Sequence, residues 1–119
     1  MKYMLLIYLD ELHAIDDAER QHCYVESAQF AQDLHENGQY LGCNPLHPTS
    51  TATSVRVRDG DRLVTDGPFA ETREQLGGYF LIEAKDLDAA IGIAARLPGA
   101  RHGTVEIRPV MEVPGLPSQ

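Results

Sequence analysis

The chain has 119 residues, 43% of them apolar, a formal net charge of −8 and a pI near 4.9. That length holds one domain with one modest core, and the apolar fraction excludes a disordered polymer. The acidic balance excludes general binding to nucleic acid or docking on anionic membranes, which need a cationic footprint, but leaves local basic spots free to meet small molecules.

Residues 2–9 (KYMLLIYL) are a continuous apolar run and predict a central strand buried on both faces. The run is too short for a membrane span, acids follow it at once, and no small-residue cleavage site accompanies it. A cytoplasmic location is therefore the expectation. Asp16 and Asp17 supply an N-cap and negative charge for a helix running to about Asn37, with Gly38 suited to a left-handed C-cap. Cys23, Tyr24, Ser27, Ala28, Phe30, Ala31 and Leu34 recur at helical spacing and define its inner face. The segment GQYLGCNPLHPTS, residues 38–50, holds Pro45 and Pro48 and reads as an extended or turning connection. Residues 52–58 alternate polar and apolar and predict a half-buried strand; Asp59-Gly60 predicts a hairpin turn and Arg62 to Thr65 a short return strand. A loop over residues 66–76 and a strand over 77–84 follow. Asp86 caps a second helix whose buried stripe is Leu87, Ala90, Ile91, Ala94 and Leu97, ended by Pro98-Gly99. Residues 103–108 form the last strand, closing a single domain over 1–110 with a tail at 111–119.

The order β-α-β-β-β-α-β predicts an α+β fold of the ferredoxin-like type. It has a mostly antiparallel sheet, both helices on one face and an enlarged central hairpin. The other sheet face needs apolar cover, and a second copy is the economical source, so a homodimer is expected.

The string DGPFAETREQLGGYFLIEA, residues 66–84, resembles the signature of the DGPF branch of the YCII-related family, with Arg73 where Lys is usual. MKYMLLIY resembles that family's first strand, STATSVRVRDG (50–60) its hairpin, and DLDAAIGIAARLPGARHGTVEIRPV (86–110) its second helix and last strand. The resemblance implies a ferredoxin-like protomer in a dimeric α/β barrel. It implies no particular reaction. Genes of the branch often lie beside those of extracytoplasmic-function sigma factors, which implies a regulatory or protein-interaction module as the alternative to a small-molecule role. Some YCII-related members look like enzymes using a histidine–aspartate pair. Aligned on Gly38 and Pro45-Leu46, this chain has Ser27 at the histidine position and Glu36 near the aspartate, so that pair is not carried over.

The 66–76 loop admits two readings. In one it only shapes itself: Asp66 accepts from N–H groups two or three residues on, Gly67 permits a positive φ, Pro68 fixes its own φ, and Phe69 plugs the loop into the core. In the other, a connection this long presents Asp66, Glu71, Thr72 and Glu74 to a cavity, with Asp66 desolvated beside Phe69 and Tyr79 as a general acid–base. A ligand there would also meet His47, Gly67, Pro68 and Phe69. Gly77-Gly78 marks a bulge or a close backbone approach to a ligand. Arg56 and Arg58 share a strand face, either wet or holding a carboxylate. No histidine or cysteine spacing predicts a metal site, and no cofactor fingerprint is present.

Overall fold

The long apolar run becomes strand β1 (Lys2–Leu9), at the centre of a four-stranded sheet. It pairs antiparallel with β5 (Gln75–Glu83) on one side and β6 (Thr104–Pro109) on the other. Strand β2 (Tyr40–Pro45) adds antiparallel to the far side of β5, giving the order β2-β5-β1-β6. This computed structural model describes residues 1–13 and 15–117, so the end of the expected tail, residues 118–119, lies outside the described residues. The architecture is α+β, with an all-antiparallel main sheet consistent with a ferredoxin-like fold.

Helix α1 (Asp17–Glu36) starts where Asp16 Oδ1 accepts from the Glu19 N–H at 2.8 Å. It stops at Gly38, whose φ of 73° is the left-handed stop that the sequence predicts. Helix α2 (Leu87–Ala95) starts in the same way, with Asp86 Oδ1 accepting from Ala89 N–H at 2.9 Å. Both helices pack on one sheet face. There Tyr3, Leu5, Phe80 and Ile82 meet Phe30, Leu34, Ala90, Ile93, Ala94 and Leu97. Leu5, Leu34, Ile82 and Leu97 are fully buried, and each side chain so buried contributes ~1.5–3 kcal/mol. Among the described residues, no helix is long and apolar enough to cross a membrane.

Several expectations are corrected. The 38–50 connection contains a real edge strand, β2. Gly42 and Asn44 break the alternation that would have announced it, and an edge tolerates Pro45. Pro98 does not end the helical region but opens a short helix α3 (Pro98–His102), because a first-turn proline loses no needed N–H. On α2 Ala90 and Ala94 face inward as expected and Ile93 joins them, while Leu87 and Ile91 are about half exposed. On α1, Tyr24 likewise faces solvent. Finally, β1 is not buried on both faces. Tyr3 and Leu5 are buried against the helices, whereas Met4, Leu6 and Tyr8 alternate onto an open face and are only half-buried.

The hairpin is also displaced from its expected place. Strands β3 (Thr53–Arg58) and β4 (Asp61–Asp66) pair only with each other, as a separate two-stranded ribbon. Its turn is the type expected, with Asp59 and Gly60 at φ 51° and 80°. No other element of the described residues lies substantially against it, and Val55, Val57, Leu63 and Val64 are 48–61% exposed. The chain has an accessible surface of 8595 Å², against about 6,400 Å² for a compact folded monomer of this mass. Its radius of gyration is 16.1 Å, where a chain of this length packs to about 13.5 Å.

Candidate functional site

Three connections gather at the end of the sheet where β1 finishes. Glu11 binds the turn after β2, its carboxylate accepting from Thr49 N–H at 3.0 Å and Thr49 Oγ1 at 2.5 Å. Arg73 Nε donates to Asp10 Oδ2 at 3.2 Å, tying the loop before β5 to the end of β1. That loop is braced internally: Gln75 Nε2 donates to Ala70 O and Thr72 O at 3.2 and 2.9 Å, and Thr72 Oγ1 to Glu74 O at 2.5 Å.

Beneath this loop, on the face away from the helices, lies an open cleft of about 660 Å³ lined by Tyr8, Thr72, Arg73, Glu74, Thr104 and Glu106. The strand registers explain its floor. Tyr8 stands opposite Thr104 and Leu6 opposite Glu106, so Tyr8, Thr104 and Glu106 share the open face. Thr104 Oγ1 donates to Glu74 Oε1 at 2.7 Å, and Tyr8 Oη donates to Glu106 Oε1 at 3.3 Å. Burial, then the Glu106 charge and hydrogen bond, push the Tyr8 phenol above its ordinary range, against a smaller opposing pull from Arg108. Tyr8 therefore remains a neutral donor at physiological pH. Next to this cleft on the same face, Asn44 Nδ2 donates to Tyr79 Oη at 2.9 Å.

The expected site residues separate into two groups. Thr72 and Glu74 line the cleft, and Tyr79 shares its sheet face. Asp66, Gly67, Pro68 and Phe69 sit instead at the base of the hairpin. Asp66 ends β4 with an exposed carboxylate, and the turn after it is held by backbone and hydroxyl groups. Gly67, at φ 106°, donates its N–H to Ala52 O at 2.8 Å and accepts from Ser54 Oγ at 2.8 Å. Phe69 does not plug the core. It is 73% exposed and carries the Arg56 guanidinium 4.6 Å above its ring. Glu71 and His47 are both exposed. The bulge expected at Gly77-Gly78 is present, with the β1–β5 register slipping between Ile7 and Tyr8.

Sequence reasoning missed Tyr8, Thr104 and Glu106. Their signal was the two-residue alternation Met4, Leu6, Tyr8 and Thr104, Glu106, Arg108, which reading β1 as buried on both faces obscures. Among the described residues, no three His, Cys, Asp or Glu side chains gather as a metal ion would need. The accessible wall of the cleft is mostly apolar and includes the Tyr8 ring; its hydroxyls donate to Glu74 and Glu106, whose remaining carboxylate oxygens are the acceptors left to a ligand.

A profile described as the YCII-related domain matches residues 1–114. The chain is also 36% identical over 124 residues to a protein of Rhizobium meliloti (strain 1021) described as "Uncharacterized protein R00369", covering 99% of this chain and 100% of that one. The element order, the sheet and these two matches agree, and the chain belongs to the YCII-related family.

Proposed function

We propose that this protein binds a small polar molecule in the cleft between the 67–74 loop and the open face of the sheet, and works as a homodimer. The observation that carries this reading is the meeting of Thr72 and Glu74, from a braced loop, with Tyr8, Thr104 and Glu106 on the sheet floor. A concave site with a few fixed polar groups is the usual form of a small-molecule site. The Asp66-Gly67-Pro68-Phe69 string supports placing the chain in the DGPF branch. Acid–base work by Asp66 fits this proposal only in the assembled protein, because in the protomer that carboxylate is open to water. The surface exceeds that of a compact monomer by about 2,200 Å². An interface of ordinary size takes about 800 Å² from each partner, so the excess supports a dimer.

The uncovered apolar hairpin also suits a protein-interaction module, such as one linked to an extracytoplasmic-function sigma factor. A second copy accounts for the same surface with no further component.

The test is a thermal-shift screen of the purified chain against polar metabolites, repeated on Glu106→Gln. A ligand binding the native state at 100 times its Kd adds about 2.7 kcal/mol of stability. The expected result is a dose-dependent rise in Tm that Glu106→Gln diminishes. A library that shifts nothing overturns the reading.

A further inference from the structure

We propose that the ligand of the cleft is an organic cation, a protonated amine whose N–H groups meet Glu74 and Glu106 while its apolar body lies against the Tyr8 ring. This rests on the cleft reading above and adds the chemical class that the cleft takes.

The inventory of donors and acceptors points that way. Three hydroxyls line the cleft, and each has its proton committed. Thr104 Oγ1 donates to Glu74 Oε1 at 2.7 Å, Tyr8 Oη to Glu106 Oε1 at 3.3 Å, and Thr72 Oγ1 to the Glu74 carbonyl at 2.5 Å. A hydroxyl has one proton to give, whereas an ionised carboxylate has none and accepts through both oxygens. Glu74 and Glu106 each keep an oxygen that accepts from no group among the described residues. A fitting ligand therefore brings its own donors, and a cationic N–H makes the stronger bond to a carboxylate. The rest of the wall is mostly apolar and includes an aromatic ring, a surface that suits hydrocarbon and attracts cations. Among the described residues no cluster fits a bare metal ion. An amine on a hydrocarbon body uses both parts of the wall.

The cations nearby do not reverse this preference. Arg73 lines the cleft, but its Nε donates to Asp10 at 3.2 Å and its side chain is 83% exposed to water. Arg108 shares the sheet face of Glu106 two residues further along β6, about 6.6 Å away at 3.3 Å per residue, and lies outside the wall. Lys2 stands at the opposite end of β1 from Tyr8. Coulomb attraction falls with separation, so two carboxylates touching an ammonium outweigh one arginine at that remove. The net charge of −8 also favours the approach of a cation over that of an anion.

The test is a titration of the 15N-labelled full chain, followed by amide chemical shifts, with three probes of similar shape. These are 2-phenylethylamine as the cation, 2-phenylethanol as the neutral probe and 3-phenylpropionate as the anion. The amine should shift the signals of Glu74, Thr104 and Glu106 and bind more tightly than the other two. Glu106→Gln keeps an acceptor for Tyr8 and removes the charge. It should weaken the amine about fivefold and leave the alcohol unchanged. Arg108→Gln should act in the opposite direction and tighten the amine about twofold. If the alcohol or the acid binds at these amides as tightly as the amine, or if the amine ignores Glu106→Gln, the cation is overturned and the cleft stands. If no probe shifts these amides, both are overturned.

Discussion

Thr104 and Glu74 lie 30 residues apart in the chain and are joined by a 2.7 Å hydrogen bond between side chains. The bond fastens the start of β6 to the last loop residue before β5, and it fixes one wall of the cleft. Its donor is a threonine whose methyl group also suits a strand.

Thr104→Val keeps the shape and removes the donor. The expected cost is about 0.5–1.5 kcal/mol in a denaturant titration. A larger relative loss is expected in the ligand-induced shift of Tm, because Glu74 then swings free. An unchanged ligand response would separate Glu74 from the site.

Tyr8→Phe removes the phenol that donates to Glu106. Burial raises the folded-state pKa of Tyr8 above its ordinary value of 10.0. A raised pKa gives stability that is fully present below the unfolded value and lost as pH climbs through the folded one. Wild-type Tm should therefore fall more steeply than that of Tyr8→Phe on the alkaline side of pH 10. Thermal melts across that range, with ultraviolet titration of the phenolate, check both halves of the statement.

Gly103→Ala would set a Cβ against the carbonyl oxygen of Tyr8, a backbone atom that cannot give way. The expected loss is about 3 kcal/mol, and the start of β6 should loosen with it. Gly92 faces open space in the middle of α2, so Gly92→Ala should stabilise by about 0.5–1 kcal/mol. Chemical unfolding of the pair separates lack of room from the general effect of losing a glycine.

Arg101 on α3 grips Glu26 on α1 with two hydrogen bonds, of 3.0 and 2.7 Å. The Arg101 hydrogen bond holds the Glu26 carboxyl below its ordinary value of 4.5. A lowered pKa gives stability present above the unfolded value and lost as pH falls through the folded one. The α1–α3 contact should thus weaken below pH 4.5, and Glu26→Gln should flatten that acid limb. Hydrogen exchange of the α3 amides across the acid range reads this directly.

Much of the fold was legible because local chemistry agreed with global packing. Asp16, Gly38, Asp86 and the Asp59-Gly60 turn each did what their residue type predicts. β2 was hidden because an edge strand holding Gly42, Asn44 and Pro45 carries no alternation and draws its order from β5. The candidate site was harder. Thr72 and Glu74 were found through the length of their loop, but Tyr8, Thr104 and Glu106 converge only through pairing between strands distant in the chain. Phe69 misled because an aromatic beside Pro68 looks like a core anchor, whereas here it supports a surface arginine.

The slip in register beside Gly77 reaches beyond local twist. Ile7 pairs with Gly78 and Tyr8 with Leu76, so Gly77 is one surplus residue in β5. Every position before it is thereby read in opposite phase to those after it, as at a dislocation in a lattice. Uninterrupted alternation from Tyr79 and Leu81 would send Glu74 toward the helices; the surplus glycine rotates it to the face where Thr104 waits. Which side of the sheet receives that carboxylate is thus determined by chain length at a residue with no side chain of its own, and removing that residue would invert the loop's chemistry without altering its composition elsewhere.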